Sequence, residues 1–320
     1  MRYGLPYKGS KNGIAKWVIE NLPRADTFVD LFFGGGAVTH VGMLSGKYKQ
    51  FIANDIDGRL PELFIDCAYG KYTVENHPEW VTREEFNAKK DTDAYIALVW
   101  SFGNNGKDYL YGADIEDMKH AYHRAVYLDD IDALRPYGYK LSKSNKKDVY
   151  GRYLDYQKQI KKQASNAQLE VVTRQTEIER LQSLQSLQSL QSLQSLQSLH
   201  EDYVSAFEKV KRRYENIILI YCDPPYSMTN CGKYAGFDNK RFYEWAEQQD
   251  NIFISEYEMP DCFVPYAWVD KQVLSAANGV QWAREMIFTN RKTYEKMESF
   301  EKMRISLNFA EQLSLFDDMK

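Results

Sequence analysis

Residues 27–36, TFVDLFFGGG, place the strongest constraint on the fold of this chain. A mostly apolar run of strand length leads directly into three glycines. The segment AVTHVGMLSG that follows has helical character and closes with Gly46. QFIAND at 50–55 then predicts a second strand, which ends in an acid. Strand, glycine turn, helix and strand are the opening of a doubly wound α/β sheet.

Further strand and helix patterns extend this sheet and show that it is interrupted. Strand patterns return at 216–222, 251–255 and 285–290, after helical patterns at 93–103 and 114–127. A chain of 320 residues with 44% hydrophobic residues has ample material for a core. We therefore predict an α/β fold in which an inserted, mainly helical region divides the sheet.

The first strand-to-helix turn has the composition of a nucleoside-binding site. Gly34 and Gly36, after Asp30, let a ligand approach backbone amides at the start of a helix. Asp55 follows Gly36 by nineteen residues, at the end of the next strand, where an acid commonly binds ribose hydroxyls. The turn has neither the pattern of a phosphate-binding P-loop nor a clean G-x-G-x-x-G, so a dinucleotide is disfavoured.

A second loop, in IYCDPPYS at 220–227, follows another buried strand. Two prolines stiffen it, because each fixes φ and removes a backbone donor. Asp223 can accept a hydrogen bond from an exocyclic amine, and Tyr226 can stack on a flat base, with Pro224 and Pro225 holding the geometry. Ligands of open α/β sheets bind beyond the carboxyl ends of the strands, so both loops are expected at one crevice.

These two loops resemble the Dam-like family of DNA adenine-N6 methyltransferases. The F-x-G-x-G motif of that family is similar to Phe32–Gly36, and its catalytic D-P-P-Y motif to Asp223–Tyr226. PYKGSK is similar to the family's W-x-G-G-K element, with Tyr7 in the aromatic place, Ser10 in place of the second glycine and Lys11 as the lysine. The motif order, with recognition residues inserted between the two loops, also matches.

The resemblance implies a fold, a cofactor and a reaction. The fold is the class I S-adenosylmethionine-dependent methyltransferase fold, a Rossmann-like doubly wound sheet. The target adenine of duplex DNA flips out, and its N6 receives the methyl group, leaving S-adenosylhomocysteine. Neither a metal nor a covalent intermediate is expected. The implied cofactor-binding residues are Tyr7, Lys11, Asp30, Phe32, Gly34, Gly36, Asp55 and Asp223, and the implied catalytic residues are Asp223, Pro224, Pro225 and Tyr226.

Two parts of the insertion are candidates for contact with double-stranded DNA. The loop WSFGNNGKDYLYG at 100–112 resembles a DNA-facing family loop, although Asn-Asn-Gly is equally typical of a plain turn. The basic stretch, Arg135–Lys162, holds nine basic and two acidic residues, a local charge of +7 in a chain of net charge −4. Five interleaved tyrosines suit base stacking, while a solvated helix face is the alternative. The predicted DNA-binding residues are Asn104, Asn105, Lys107, Lys143, Lys146, Lys147 and Arg152.

The triplet Leu-Gln-Ser occurs six times in succession at residues 181–198. A leucine at every third position drifts around an α-helix and builds no coiled-coil seam. Because Leu and Gln favour helices, we predict a helix of variable order. It is either a repeat tolerated in a surface connection or a spacer whose copy number sets the distance between two lobes.

The C-terminal tail ends EQLSLFDDMK. Residues 312–316 resemble the pentapeptide with which bacterial proteins bind the replication sliding clamp. Gln312 would supply a hydrogen bond, and Leu313, Leu315 and Phe316 apolar contacts. The alternative is that the tail packs on its own domain.

We predict five segments: a first catalytic part (1–66), a target-recognition insertion (67–165), a helical connection (166–202), a second catalytic part (203–308) and the tail (309–320). Methylation of cytosine N4, RNA or a glutamine side chain stays an alternative, as does a non-catalytic DNA-binding or scaffold protein. Scattered cysteines, a polar start and the lack of a membrane-length apolar run lead us to expect a cytoplasmic protein without zinc. We expect a monomer, because nothing in the sequence demands symmetry.

Overall fold

The computed structural model of the chain describes residues 3–7, 9–163, 176–190, 196–214, 217–225, 236–275 and 279–297. The chain forms two compact units. The first unit contains residues 1–19, 33–46 and 57–199, and the second contains residues 20–32, 47–56 and 200–320. The boundaries that we predicted for the five segments remain a prediction.

The second unit is built on a mixed β-sheet. Six of the seven strands of the described chain belong to it, in the order β2-β1-β4-β5-β7-β6. Neighbours from β2 to β5 are parallel, whereas β7 is antiparallel to both β5 and β6. The strands are β1 (Thr27–Asp30), β2 (Gln50–Asn54), β3 (Leu196–Leu199, in the first unit), β4 (Ile218–Cys222), β5 (Ile252–Glu256), β6 (Phe263–Ser275) and β7 (Gly279–Asn290).

Continuous apolar runs form these central strands, because strands covered on both faces bury every side chain. All four residues of β1 are buried, and so are all five of β5. The ring of Phe28 stacks on Tyr221 of β4, with centroids 6.0 Å apart. The strand order reverses between β1 and β4, which is where open α/β sheets bind ligands.

Side-chain caps fix the starts of several helices. Thr82, Asp93 and Thr176 each accept a hydrogen bond from the backbone N–H three residues on. Within the described residues, no helix combines the length and apolar character needed to cross a membrane. The α-helices are α1 (Ala15–Asn21), α2 (Ala37–Ser45), α3 (Arg59–Ala68), α4 (Arg83–Lys89), α5 (Ala94–Val99), α6 (Glu116–Leu128), α7 (Val149–Gln163), α8 (Glu177–Gln185), α9 (Tyr203–Arg213) and α10 (Asn239–Glu247).

The strands and helices predicted from these patterns are present, whereas two strands, β3 and β6, were not predicted. β1, β2, β4 and β5 lie where apolar runs predicted them, and α2, α5 and α6 where helical patterns did. β7 begins at Gly279, six residues before the predicted strand. β6 was not predicted, because Pro265 is uncommon inside a strand, yet this strand pairs with β7 along its length.

The triplet repeat adopts three conformations, which corrects the predicted single helix. Its first copies continue α8, a 3-10 helix covers Ser186–Ser189, and its last copy forms β3. A 3-10 turn has three residues, so a leucine every third position stays on one side of it. Leucines 181, 184, 187 and 190 are all buried, so this segment is core of the first unit and not a surface connection.

Candidate active site

Four carboxylates lie at, or directly after, the carboxyl ends of adjacent parallel strands in the second unit. We name this set, Asp30, Asp55, Asp223 and Glu256, the carboxyl edge. The register pairs Asp30 with Ala53 of β2 and Tyr221 of β4, and Cys222 of β4 with Ile254 of β5. Asp30, Asp55 and Glu256 are buried, and Asp223 is half-buried. Strand pairing alone therefore aligns three acids that the sequence singled out.

The carboxylates of Asp30 and Asp223 both influence the thiol of Cys222. Burial raises the pKa of Cys222, and the charges of these two carboxylates raise it further. Cys222 is consequently a neutral residue of β4 and no activated nucleophile. Pro224 is buried directly after Asp223, which fixes the loop where the strand ends.

Asn54 braces the carboxyl edge and was not predicted. Its Nδ2 donates to the carbonyls of Leu31 and Glu201, both at 3.1 Å, and its Oδ1 accepts from the N–H of Glu201 at 3.2 Å. The N–H of Leu31 donates in turn to the carbonyl of Tyr221 at 3.1 Å. The backbone that carries Asp30 and Asp55 is thereby fixed. A polar residue inside a buried strand, next to a singled-out acid, was the available signal.

Phe32 lies in an aromatic cluster of the second unit. Its ring stacks on Tyr203 of α9 at 5.6 Å and meets the edges of Phe237 and Phe242 at 5.7 and 5.5 Å. These contacts fix the chain directly after β1, so Phe32 acts by packing within the second unit.

In the first unit, the glycine turn is covered by the N-terminal segment. The N–H of Leu5 donates to the carbonyl of Gly35 at 2.7 Å. Gly34 and Gly36 have φ of +50° and +67°, which residues with side chains rarely adopt. A Cβ on Gly35 would lie 2.8 Å from Cβ of Tyr7, and one on Gly34 would lie 3.3 Å from the Tyr7 ring. Tyr7 thus lies against the glycine turn, and its predicted role in cofactor binding stays a prediction.

Lys11 lies four residues beyond Tyr7, in a 3-10 turn (Lys11–Gly13), and is buried. The N–H of Ser10 donates to the carbonyl of Tyr7 at 3.1 Å, which ties this turn to the covering segment. A buried lysine on such a turn suits interaction with an anionic group or an electron-rich ring.

His40 of α2, which was not predicted to have a role, contacts the same N-terminal segment. Its Nδ1 accepts from the N–H of Gly4 at 3.0 Å, and its ring meets the edge of Tyr3 at 5.4 Å. Burial lowers the pKa of His40 to about 4, so the ring is neutral near pH 7. The bond to Nδ1 therefore places the proton on Nε2.

The residues present fit a nucleoside cofactor. In the second unit, the buried carboxylates of Asp30, at the end of β1, and Asp55, after β2, suit ribose hydroxyls. In the first unit, the glycines lack side chains that would crowd a ligand. In the part of the chain that the structure describes, His, Cys, Asp and Glu side chains do not gather into groups of three or more that could hold a metal ion.

The loop predicted to face DNA uses its asparagines internally. Asn104 Nδ2 donates to the carbonyl of Leu98 at 2.8 Å. Asn105 Oδ1 accepts from the N–H groups of Lys107 and Asp108, and its Nδ2 donates to the Asp108 carboxylate at 2.7 Å. These bonds favour the turn over base reading for both asparagines, whereas the side chain of Lys107 is exposed.

The basic stretch separates into exposed lysines and buried tyrosines. Lys146 and Lys147 are exposed, and Lys143 pairs with Asp129 at 2.8 Å. The guanidinium of Arg152 donates hydrogen bonds to the carbonyls of Val126 and Lys147, at 2.8 and 2.7 Å. Base stacking by the whole set of tyrosines is corrected, because three of them are buried in the first unit: Tyr139, Tyr153 and Tyr156.

Two predicted groups lie outside the described residues. They are Tyr226 of the D-P-P-Y motif and the tail residues Gln312, Leu313, Leu315 and Phe316.

A family profile of D12 class N6 adenine-specific DNA methyltransferases matches residues 7–262. The match covers more than half of the chain and includes the glycine turn and the D-P-P-Y motif. That family has the class I methyltransferase fold, which agrees with the mixed sheet of the second unit. Among curated proteins, no significant match is found. The chain belongs to the D12 class N6 adenine-specific DNA methyltransferase family.

Proposed function

We propose that this S-adenosylmethionine-dependent adenine methyltransferase does its chemistry at the carboxyl edge, with Asp223 and Pro224 as the groups that bind the target amine. The observation that carries this proposal is the strand register, which aligns the D-P-P-Y loop with the acids after β1 and β2. A rigid acceptor at a strand end is preorganised for one substrate geometry.

Seven further residues would hold the cofactor. Asp30 and Asp55 would accept from hydroxyl and amine groups, and the glycine backbone would approach the ligand closely. S-adenosylmethionine supplies an electrophilic methyl group on a sulfonium. The full set is Tyr7, Lys11, Asp30, Phe32, Gly34, Gly36 and Asp55, together with Asp223.

The chain's own residues would prepare the adenine for transfer. The target base leaves the duplex, and Tyr226 stacks on it. The Asp223 carboxylate and the Pro224 carbonyl accept hydrogen bonds from the N6 amine, which directs its lone pair at the methyl group. Orientation provides most of the acceleration, and no covalent enzyme intermediate is required. The product cofactor is S-adenosylhomocysteine.

DNA would be held by exposed cations of the first unit. Lys107, Lys146 and Lys147 are exposed and suit phosphate contacts, with Lys143 and Arg152 nearby in sequence. Asn104 and Asn105 would contribute through the shape of their loop. We propose a cytoplasmic monomer that acts on double-stranded, site-specific targets without a metal.

The test measures transfer of a labelled methyl group to unmethylated DNA, followed by nucleoside analysis. The wild-type protein is expected to label N6-methyladenine. Asp223→Asn keeps the shape but loses the anionic acceptor, so transfer should fall by about 10³-fold with cofactor binding retained. Asp250→Asn, an exposed acid of the same unit paired with Lys292, is the matched control.

Each other outcome identifies an alternative. Label in N4-methylcytosine would move the function to cytosine, and label in RNA or protein would change the substrate class. Full activity in Asp223→Asn would overturn the catalytic assignment.

The tail would bind the replication sliding clamp through Gln312, Leu313, Leu315 and Phe316. Removing residues 312–320 should abolish binding to a purified clamp and leave methyl transfer to short duplexes unchanged. Equal clamp affinity of the full and shortened chains would refute this part of the proposal.

A further inference from the structure

The second unit contains a buried acid that the proposed function leaves without a role. Glu285 of β7 is 2% exposed, in a strand next to β5. Its Oε1 accepts a hydrogen bond from the hydroxyl of Tyr257, which directly follows β5, at 3.0 Å. The backbone N–H of Tyr257 donates to Glu256 Oε1 at 2.9 Å, so Tyr257 is held at both ends. Burying a carboxylate costs free energy unless the carboxylate is hydrogen-bonded. The hydrogen bond from Tyr257 therefore offsets part of the cost of burying Glu285.

Strand register places Glu285 on the same face of the sheet as Tyr221 of β4. Tyr221 pairs with Phe253, and Ser255 pairs with Ile287. Because paired residues and alternate residues share a face, Tyr221, Ser255 and Glu285 lie on the same one. The hydroxyls of Tyr221 and Ser255 are hydrogen-bonded to each other at 2.8 Å. Tyr221 lies two residues before Asp223 in the chain. This face therefore carries two hydrogen-bonded pairs, Tyr221 with Ser255 and Tyr257 with Glu285, which together we name the polar layer.

The electrostatics of this layer are those of a negative site. Burial raises the pKa of Tyr257, and Glu285, Glu256 and Asp223 raise it further. Burial also raises the pKa of Tyr221, with Asp223, Asp30 and Glu285 as the acting charges. The charges that act on these two hydroxyls are all carboxylates. Glu285 and Asp223 thus act on the same two hydroxyls, from the two sides of β5.

We propose that Glu285, oriented by Tyr257, is a specificity-determining residue whose negative charge favours the positively charged S-adenosylmethionine over its neutral product, S-adenosylhomocysteine. This inference rests on the proposed function. A fixed charge changes the affinity for a cation and leaves that for a neutral ligand nearly unchanged. In a water-poor site the effect persists at moderate salt. Its consequence is release of the product in favour of fresh cofactor.

The experiment is calorimetric titration of the full chain, without DNA, with each of the two nucleosides. The measured quantity is the ratio of the Kd for S-adenosylhomocysteine to the Kd for S-adenosylmethionine. Glu285→Gln should lower this ratio by about 3- to 20-fold, through weaker binding of the cation alone. Tyr257→Phe removes the hydroxyl that orients Glu285, so it should lower the ratio in the same direction and by less. Glu244→Gln, an exposed acid on α10, is the matched control and should leave the ratio unchanged.

The outcomes separate this inference from the function on which it rests. An unchanged ratio in Glu285→Gln, or a parallel loss of both affinities, would overturn the inference while methyl transfer by the wild-type protein upholds the function. If Glu285→Gln does not fold, Tyr257→Phe decides, and an unchanged ratio there overturns the inference. A wild-type protein that binds neither nucleoside and transfers no label would instead remove the proposed function.

Discussion

The carboxyl edge and the basic stretch were both predicted as sites from charged residues close to aromatic ones. The structure positions the two sets of residues by different means. At the carboxyl edge, Asp30, Asp55 and Asp223 all follow strands that pair side by side. In the basic stretch, Lys146 is exposed while Tyr153 is fully buried. Backbone pairing between strands positions the acids of the carboxyl edge. In the basic stretch, the side of the helix on which a residue lies decides whether it is buried or exposed. A motif at a strand end can therefore be interpreted from sequence more directly than a composition along a helix.

The sequence did contain the pattern that separates the tyrosines from the lysines. Val149, Tyr153, Tyr156 and Ile160 are spaced by four, three and four residues, which is the period of a buried helical stripe. All four are buried on α7. This periodicity predicts that Tyr153 and Tyr156 lie in the core, which the composition alone does not predict.

The largest expected effect tests whether Tyr153 is core or a base-stacking residue. Tyr153→Ala should lower the free energy of unfolding by about 3–5 kcal/mol, because a buried aromatic leaves a cavity. Tyr137→Ala, an exposed tyrosine of the same stretch, is the control and should change it by less than about 1 kcal/mol. Urea unfolding measures both. Weaker DNA binding with unchanged stability in Tyr153→Ala would restore the stacking interpretation.

A second test asks whether the triplet repeat is core. Leu184 is fully buried, so Leu184→Ala should cost about 2–5 kcal/mol of unfolding free energy. Gln182→Ala, in the same repeat and half-buried, should stay within about 0.5 kcal/mol. Equal effects of the two substitutions would return the repeat to a surface connection.

Glu177 offers a pH-dependent test of the first unit. Burial raises its pKa, but hydrogen bonds from His123, at 2.7 Å, and Tyr111 outweigh burial, so the pKa lies below its ordinary value of 4.5. An acid with a lowered pKa stabilises the fold above 4.5, and this stabilisation is lost as the pH falls through the folded-state value.

Glu177→Gln should therefore cost about 1.5–3 kcal/mol at pH 7 and progressively less below pH 4.5. Chemical unfolding at several pH values measures the difference, with the exposed Glu84→Gln as control. A cost that does not depend on pH would show that the carboxylate charge is unimportant.

The smallest expected effect concerns the exposed lysines. The double variant Lys146→Gln, Lys147→Gln should reduce the slope of log affinity against log salt by about two units, one for each lost phosphate contact. Lys71→Gln with Lys89→Gln, exposed lysines paired with Asp66 and Glu85, is the matched control. Fluorescence anisotropy with a labelled duplex gives both slopes. Equal slopes in the two double variants would remove the basic stretch from the DNA interface.

The sequence by itself determined the family, the parallel strands and the acids at their ends, because apolar runs and turn residues act locally along the chain. A motif resemblance singled out Tyr7, and the tertiary structure places it against the glycine turn. Tertiary structure alone decided that Glu285 meets Tyr257, since 28 residues separate them and only the pairing of β5 with β7 joins them. It likewise decided that one repeated triplet becomes helix, 3-10 turn and strand. Identical triplets have identical local preferences, so only the packing that surrounds each copy can distinguish them.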